Sequence, residues 1–114
     1  MKDIEKIVKL ARNAMEDKKA IDVKVIYIGE ISVMADYFII CSANSSAQME
    51  AIVDNVAEEL AKEKVYCKKT EGNRNSGWIL MDYGDIVVHV FMREDREFYN
   101  LERIWRDGKV VFDD

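Results

Sequence analysis

The chain has 114 residues, of which 49% are hydrophobic and 34% are charged, and its formal net charge is -5. This is the size and composition of one globular domain, and it excludes a disordered chain and a membrane-spanning one. No segment has the pattern of a signal peptide. An acidic chain is poorly suited to gripping nucleic acid through its phosphates. We therefore expect one cytoplasmic domain over residues 1–114, with no membrane association, little direct nucleic-acid binding and a basic protein as partner.

The first half of the chain predicts a helix, two strands and a second helix. Apolar residues at helical spacing over 3–18 predict an amphipathic helix that begins at Asp3. Strands are predicted over 22–28 and 36–42, the second apolar on both faces and therefore central. Ser45 and Gln48 form a capping box, in which each side chain binds a free N–H group of the helix start. The apolar stripe over 49–61 predicts the main helix.

The second half predicts mainly strands. We expect a short edge strand over 65–70, a polar loop over 71–77 and a hairpin with strands 78–82 and 85–92 around a turn at Tyr83 and Gly84. A short helix over 100–105 and a final segment over 110–112 follow. Two strands before the main helix and a hairpin after it favour an α/β fold, with a mixed β-sheet of about five strands and helices on at least one face.

The hairpin turn sets which side chains share a face. With Tyr83 and Gly84 in the turn, Asp82 is expected opposite Asp85 and Trp78 opposite His89. One face is wholly apolar and is assigned to the core: Ile79, Met81, Ile86, Val88, Val90 and Met92. The other face mixes bulky apolar and polar side chains: Trp78, Leu80, Asp82, Asp85, Val87, His89 and Phe91.

The mixed face has two interpretations. In one, a second helical layer covers Trp78 and Leu80 while the aspartates lie at the wet end of the hairpin. In the other, which we favour, the face is a protein-contact surface with an apolar centre and a polar rim. The predicted partner-binding residues are Trp78, Leu80, Asp82, Asp85, Val87 and His89.

A metal-dependent, nucleotidyltransferase-like enzyme is the alternative from another class. Asp82 and Asp85, facing each other, would share a divalent ion with Asp36 as third ligand. Aspartates are common at turns for local hydrogen-bonding reasons, however, and no two carboxylates stand at i and i+2 on one strand. His89, the sole histidine, lacks an expected partner to orient it as a general base. We therefore predict no catalytic residue and no metal.

Serine and cysteine offer little further chemistry. Ser42, Ser45 and Ser46 precede a helix N-terminus and resemble a small anion site, but Ser45 is already explained as the cap and no Gly-Lys phosphate loop occurs. Cys41 and Cys67 lack metal-ligand spacing, and Cys41 is expected in the core. No cofactor is predicted.

Several segments in chain order resemble the ribosomal silencing factor family, also called Iojap. They are KKAID at 18–22, DYFIICS at 36–42, EG at 71–72, GWILMDYGD at 77–85, VVHVF at 87–91 and REFYNLERIW at 96–105. The resemblance covers nearly the whole chain.

The resemblance implies a nucleotidyltransferase-like topology without the catalytic carboxylates, and a binding function. Family members attach to the large, 50S-type ribosomal subunit through ribosomal protein L-fourteen and block its joining to the small subunit, so that translation falls when nutrients are scarce. Organellar relatives are linked to large-subunit assembly. The family's Trp-x-Leu-x-Asp contact strand corresponds to Trp78, Leu80 and Asp82. A homodimer of the free protein is also implied.

Overall fold

A computed structural model of the chain describes residues 4–29, 35–73, 75–94 and 109–111. The elements are α1 (Ile4–Asp17), β1 (Ile21–Tyr27), β2 (Tyr37–Ala43), α2 (Ser46–Lys62), β3 (Lys69–Asn73), β4 (Trp78–Asp82), β5 (Ile86–Met92) and β6 (Lys109–Val111). The strands form one six-stranded sheet in the order β3-β4-β5-β2-β1-β6. The predicted helix over 100–105 lies outside the described residues.

The predicted mixed α/β sheet is confirmed. Its two central strands, β2 and β5, run parallel, and every other neighbouring pair is antiparallel. The sheet has six strands rather than about five because the short β6 pairs with β1. No helix in the described ranges is long and apolar enough to cross a membrane.

Both helices pack on one face of the sheet, where they form the larger core. The stripe of α1 buries Ile7, Val8 and Met15, and that of α2 buries Ile52 and Leu60, as the apolar spacing predicts. The sheet contributes the side chains of alternate positions, because successive residues of a strand point to opposite faces. These include Val25, Ile39, Cys41, Ile79, Met81, Ile86, Val88 and Val90.

The capping box of α2 is confirmed in one half and altered in the other. Ser45 accepts a hydrogen bond from the Gln48 N–H at 3.1 Å, as predicted. The Gln48 Oε1 atom, however, accepts from the N–H of Asn44 at 2.7 Å, one residue beyond the cap. Its amide nitrogen then donates to the carbonyls of Lys18 and Lys19, at 3.1 and 2.9 Å. Gln48 thus ties the start of α2 to the segment that follows α1.

The strand predicted over 65–70 begins four residues later and extends through much of the predicted loop. The reason lies at the end of α2. Lys64 takes the left-handed conformation, with φ at 61°, and its N–H donates to the Ala61 carbonyl. The Val65 N–H donates to the Leu60 carbonyl, so this stretch belongs to the helix end. Pairing with β4 starts where the Lys68 N–H donates to the Asp82 carbonyl at 2.8 Å.

The predicted hairpin register is wrong by two residues. Trp78 lies opposite Phe91 and Leu80 opposite His89, while Asp82 lies opposite Val87 rather than Asp85. Tyr83 joins the ladder, donating its N–H to the Ile86 carbonyl, so Gly84 and Asp85 form the loop. The side chain of Tyr83 is 8% exposed, and burying an aromatic ring favours placing this residue in the sheet.

The shift leaves the two faces as predicted. A displacement by two residues returns every side chain to its own side of the sheet. The face assigned to the core is therefore the face that packs against α1 and α2, with Ile79, Met81, Ile86, Val88 and Val90 buried.

Candidate partner-binding surface

The face of the sheet opposite the helices holds a second, smaller core. Its buried members are Ile26, Ile28, Ala35, Ile40 and Phe91. His89 lies among them and is 2% exposed. The centre of this face is therefore buried, while Trp78 and Leu80, which the first interpretation places under a helical layer, remain partly accessible.

The accessible part lies on β4 and at the hairpin end. Trp78, Leu80 and Asp82 are half-buried, as is Val87, while Asp85 in the loop is exposed. Glu71 of β3 pairs with Leu80, so it belongs to the same face. Asp85 lines a cavity with Tyr66, Ile4 and Ile7 on the helical side of the sheet. We call the other five residues the Trp78 surface: Trp78, Leu80, Asp82, Val87 and Glu71.

A shallow cavity of about 170 Å³ opens beside the indole ring of Trp78. Leu80 and Trp78 line it from β4, and Glu71, Gly72 and Ser76 line it from β3 and the connection. The Ser76 hydroxyl donates to the Trp78 carbonyl at 2.8 Å, which holds the connection against the strand. The cavity leaves an accessible space next to Trp78.

Gly72 is needed for this close approach of β3 and β4. Its φ is +82°, in the region that favours glycine, and an added Cβ would lie 2.1 Å from the Trp78 carbonyl oxygen. The sequence prediction missed the cavity residues because it placed Glu71, Gly72 and Ser76 in a loop. The available signal was the Glu71-Gly72 pair, which forms part of the family resemblance.

The indole of Trp78 rests on the aromatic rings of β5. It stacks on the ring of Phe91, directly opposite, with centroids 5.2 Å apart and planes at 17°. Its Nε1–H donates to Nδ1 of His89 at 3.1 Å. Phe38 of β2 packs edge-on against the imidazole, with centroids 4.7 Å apart. The half-buried Trp78 therefore rests on two buried rings, those of His89 and Phe91, which anchor it.

His89 is placed inside the protein, not on the contact surface where sequence reasoning put it. Burial lowers the pKa of its imidazole from 6.5 to about 4, because the charged form loses its hydration. His89 is thus neutral at pH 7, and Nδ1 is occupied as an acceptor. A partner docked on the Trp78 surface meets Trp78 first and does not reach His89.

The arrangement proposed for an enzyme is not assembled. Asp82 and Asp85 do not face each other, and an Asp82 carboxylate oxygen accepts the Gly84 N–H at 2.7 Å within the turn. Asp36 meets the hairpin end through its backbone, whose N–H donates to the Asp85 carbonyl at 2.8 Å. Within the described ranges, no group of three or more histidine, cysteine, aspartate or glutamate side chains is arranged to hold a metal ion.

The serine and cysteine residues have structural positions. Ser45 is the N-cap of α2 and Ser46 its first residue. Ser42 is 2% exposed within β2. Cys41 is buried in the larger core as predicted, and Cys67 is half-buried, with its thiol donating to the Lys69 carbonyl at 3.2 Å. These structural positions explain the serine and cysteine residues, and no anion site is needed to explain them.

Comparison with known proteins identifies the relatives of this chain. The family model described as "Ribosomal silencing factor during starvation" matches residues 1–114. The ribosomal silencing factor RsfS of Bacillus subtilis (strain 168) is 41% identical over 105 residues, which cover 92% of this chain and 89% of the relative. The "mitochondrial assembly of ribosomal large subunit protein 1" of Mus musculus is 32% identical, over 90% of this chain but 45% of the longer relative.

The fold is shared with a solved structure. A crystal structure of a protein from Chromobacterium violaceum superimposes with a TM-score of 0.87 at 31% sequence identity, covering 91% of this chain and 87% of that one.

The buried imidazole makes folding stability depend on pH. Between pH 6.5 and 4 the unfolded chain binds a proton at His89 that the folded chain does not. The contribution of His89 to the free energy of unfolding is therefore complete above about pH 6.5. It decreases as the pH falls, by roughly 1.4 kcal/mol per pH unit. We predict that the free energy of unfolding of the wild type falls by roughly 2 kcal/mol more between pH 7 and 5 than that of His89→Gln. Urea denaturation at both pH values measures this, and equal changes in the two proteins would contradict it.

Proposed function

Because this chain belongs to the ribosomal silencing factor family, we propose that it binds the large ribosomal subunit through the Trp78 surface and keeps the small subunit away. Translation then falls when nutrients are scarce. The observation that carries the proposal is the half-buried Trp78, held from behind by buried rings and bordered by a cavity and carboxylates.

The Trp78 surface has the composition of a binding site. Trp78 and Leu80 supply an apolar centre. Asp82 and Glu71, the latter in an ion pair with Lys69, supply a charged rim. Aromatic anchors at the centre of an interface carry much of its binding energy, while rim charges speed encounter and select the partner. The net charge of -5 favours a basic partner.

Ribosomal protein L-fourteen is the partner we propose. It is the partner that the family resemblance implies, through the strand that corresponds to Trp78, Leu80 and Asp82. These three side chains alternate along β4, so they point to one side and can meet one partner surface together.

Blocking is proposed to be steric. The molecule measures 35 × 32 × 27 Å. A body of this size, docked on the joining surface of the large subunit, holds the small subunit far outside the range of direct contacts. Such a mechanism requires the protein to bind the large subunit at the right place, and no covalent bond has to be made or broken.

A role in large-subunit assembly is the second candidate. It is favoured by the mouse relative, whose name refers to the mitochondrial assembly of the ribosomal large subunit. The same docking surface would serve, with an incomplete large subunit as the particle that is bound.

Trp78 is the proposed anchor, so its removal tests the proposal directly. We expect Trp78→Ala to weaken binding to isolated large subunits about 30-fold, because truncating an aromatic anchor costs roughly 2 kcal/mol. Co-sedimentation with purified large subunits measures the affinity, and circular dichroism checks the fold.

The matched control is Tyr66→Ala. Tyr66 is 65% exposed and borders a cavity with Ile4 and Ile7 of α1, on the helical side of the sheet. It should bind like the wild type. If a folded Trp78→Ala protein also binds like the wild type, Trp78 is not a contact.

We further predict no nucleotide transfer. Asp82 lies in a turn hydrogen bond and Asp85 in the loop, so these two carboxylates do not form the facing pair that would hold magnesium. Incubation with labelled nucleoside triphosphates and magnesium should yield no product. Turnover that is lost in Asp82→Asn would restore the enzyme hypothesis.

Silencing and assembly predict different defects in cells that lack the protein. Silencing predicts that starved cells keep joined ribosomes and continue to translate, with mature large subunits throughout. Assembly predicts incomplete large subunits with unprocessed RNA in growing cells. Gradient profiles and RNA end mapping from both conditions distinguish the two.

A further inference from the structure

We propose that His89 is a positioning residue: its Nδ1 atom accepts the Trp78 Nε1–H and so holds the indole in the orientation that meets the partner. This inference rests on the proposed function, because it assigns the buried imidazole a role in docking by the Trp78 surface. It replaces the direct contact that sequence reasoning assigned to His89.

The first support is the placement of the indole across two neighbours on β5. Trp78 lies directly opposite Phe91, and His89 is two residues away on the same face. The indole stacks on Phe91 while its nitrogen reaches diagonally to His89, 3.1 Å away. Stacking alone permits the ring to slide or turn over. The directional hydrogen bond selects one orientation, because it fixes where the indole nitrogen lies.

The second support is the chemistry of the imidazole itself. A neutral imidazole has one donor and one acceptor nitrogen. Since Nδ1 accepts from Trp78, Nε2 carries the proton, and this buried Nε2–H has no hydrogen-bond partner among the residues that the structure describes. An apolar side chain of similar size would avoid a buried unsatisfied donor, which typically costs more than one hydrogen bond contributes. The one thing that histidine adds at this position is the acceptor for Trp78.

The third support is that the imidazole cannot readily turn away. Phe38 packs edge-on against it from β2, and the backbone of β5 is paired on both sides, with β2 and with β4. The acceptor is therefore fixed by the rigid centre of the sheet. An anchor whose rotamer is fixed before binding loses less entropy when it docks.

Two substitutions separate positioning from packing, because they make opposite predictions. His89→Gln keeps a hydrogen-bond acceptor and loses the ring, whereas His89→Phe keeps a ring and loses the acceptor. If His89 positions Trp78, His89→Gln binds large subunits within about threefold of the wild type and His89→Phe binds about tenfold more weakly. If His89 only fills space, the order is reversed, and that result would overturn the inference.

Spectroscopy provides a readout that does not involve the ribosome. Because the chain has one histidine, its two imidazole ¹⁵N signals are unambiguous. At pH 7 we expect the Nε2–H form, since an Nδ1–H form cannot accept from the indole and would refute the proposal. The indole N–H signal that disappears in Trp78→Phe should be retained in His89→Gln and shifted in His89→Phe.

The two proposals fail in different ways. A wild-type chain that does not bind large subunits overturns the proposed function and, with it, the role of His89 in docking. A wild-type chain that binds, together with a folded His89→Phe protein of equal affinity, overturns only the role of His89. If His89→Phe does not fold, the imidazole tautomer of the wild-type chain still tests the inference, because an Nδ1–H form excludes the hydrogen bond from Trp78.

Discussion

The parallel pairing of β2 with β5 is the constraint on which the rest of the structure depends. Parallel neighbours need a long crossover, which α2 provides together with β3 and β4. Both faces of the pair are buried. Ile39 and Val88 contact the helical core, while Ile40, His89 and Phe91 belong to the opposite side. The flanking strands pair with these two central strands. The pairing of β4 with β5 sets the register of Trp78 and places it against the rings of β5 on which it rests.

Much of this fold could be predicted from local patterns, and the exceptions have non-local causes. Helical and strand periodicities located both helices and both faces of the hairpin. The register was wrong because a shift by two residues leaves the face pattern unchanged, so the pattern does not distinguish Tyr83 in the turn from Tyr83 in the sheet. Burial of the Tyr83 ring selects the observed register, and this burial depends on α1 and α2. Likewise β3 starts late because residues next to Lys64 hydrogen bond to the end of α2.

The sequence predicts which residues of the candidate site share one face of a strand. It does not predict which of them are accessible to solvent. Alternation along β4 placed Trp78, Leu80 and Asp82 together, and the structure keeps them so. Which members are accessible depends on strands distant in sequence. Ile26 of β1 and Ile40 of β2 share this side of the sheet with His89 and Phe91, and all four side chains are buried. The hairpin pattern alone does not contain that burial, so it predicts His89 as a contact residue although the imidazole lies behind Trp78.

The edge position of β3 bears on how the protein avoids aggregation. An edge strand offers unpaired backbone groups to any extended chain, and here it borders an apolar surface, a combination that favours uncontrolled sheet growth. The side chains of Lys69 and Glu71 are exposed and form an ion pair at 3.1 Å, so an incoming strand would have to accommodate both charges. The left-handed Gly72 also interrupts the regular extended backbone. The same glycine that permits the cavity beside Trp78 thus helps to keep a chain with a partly accessible apolar surface dispersed.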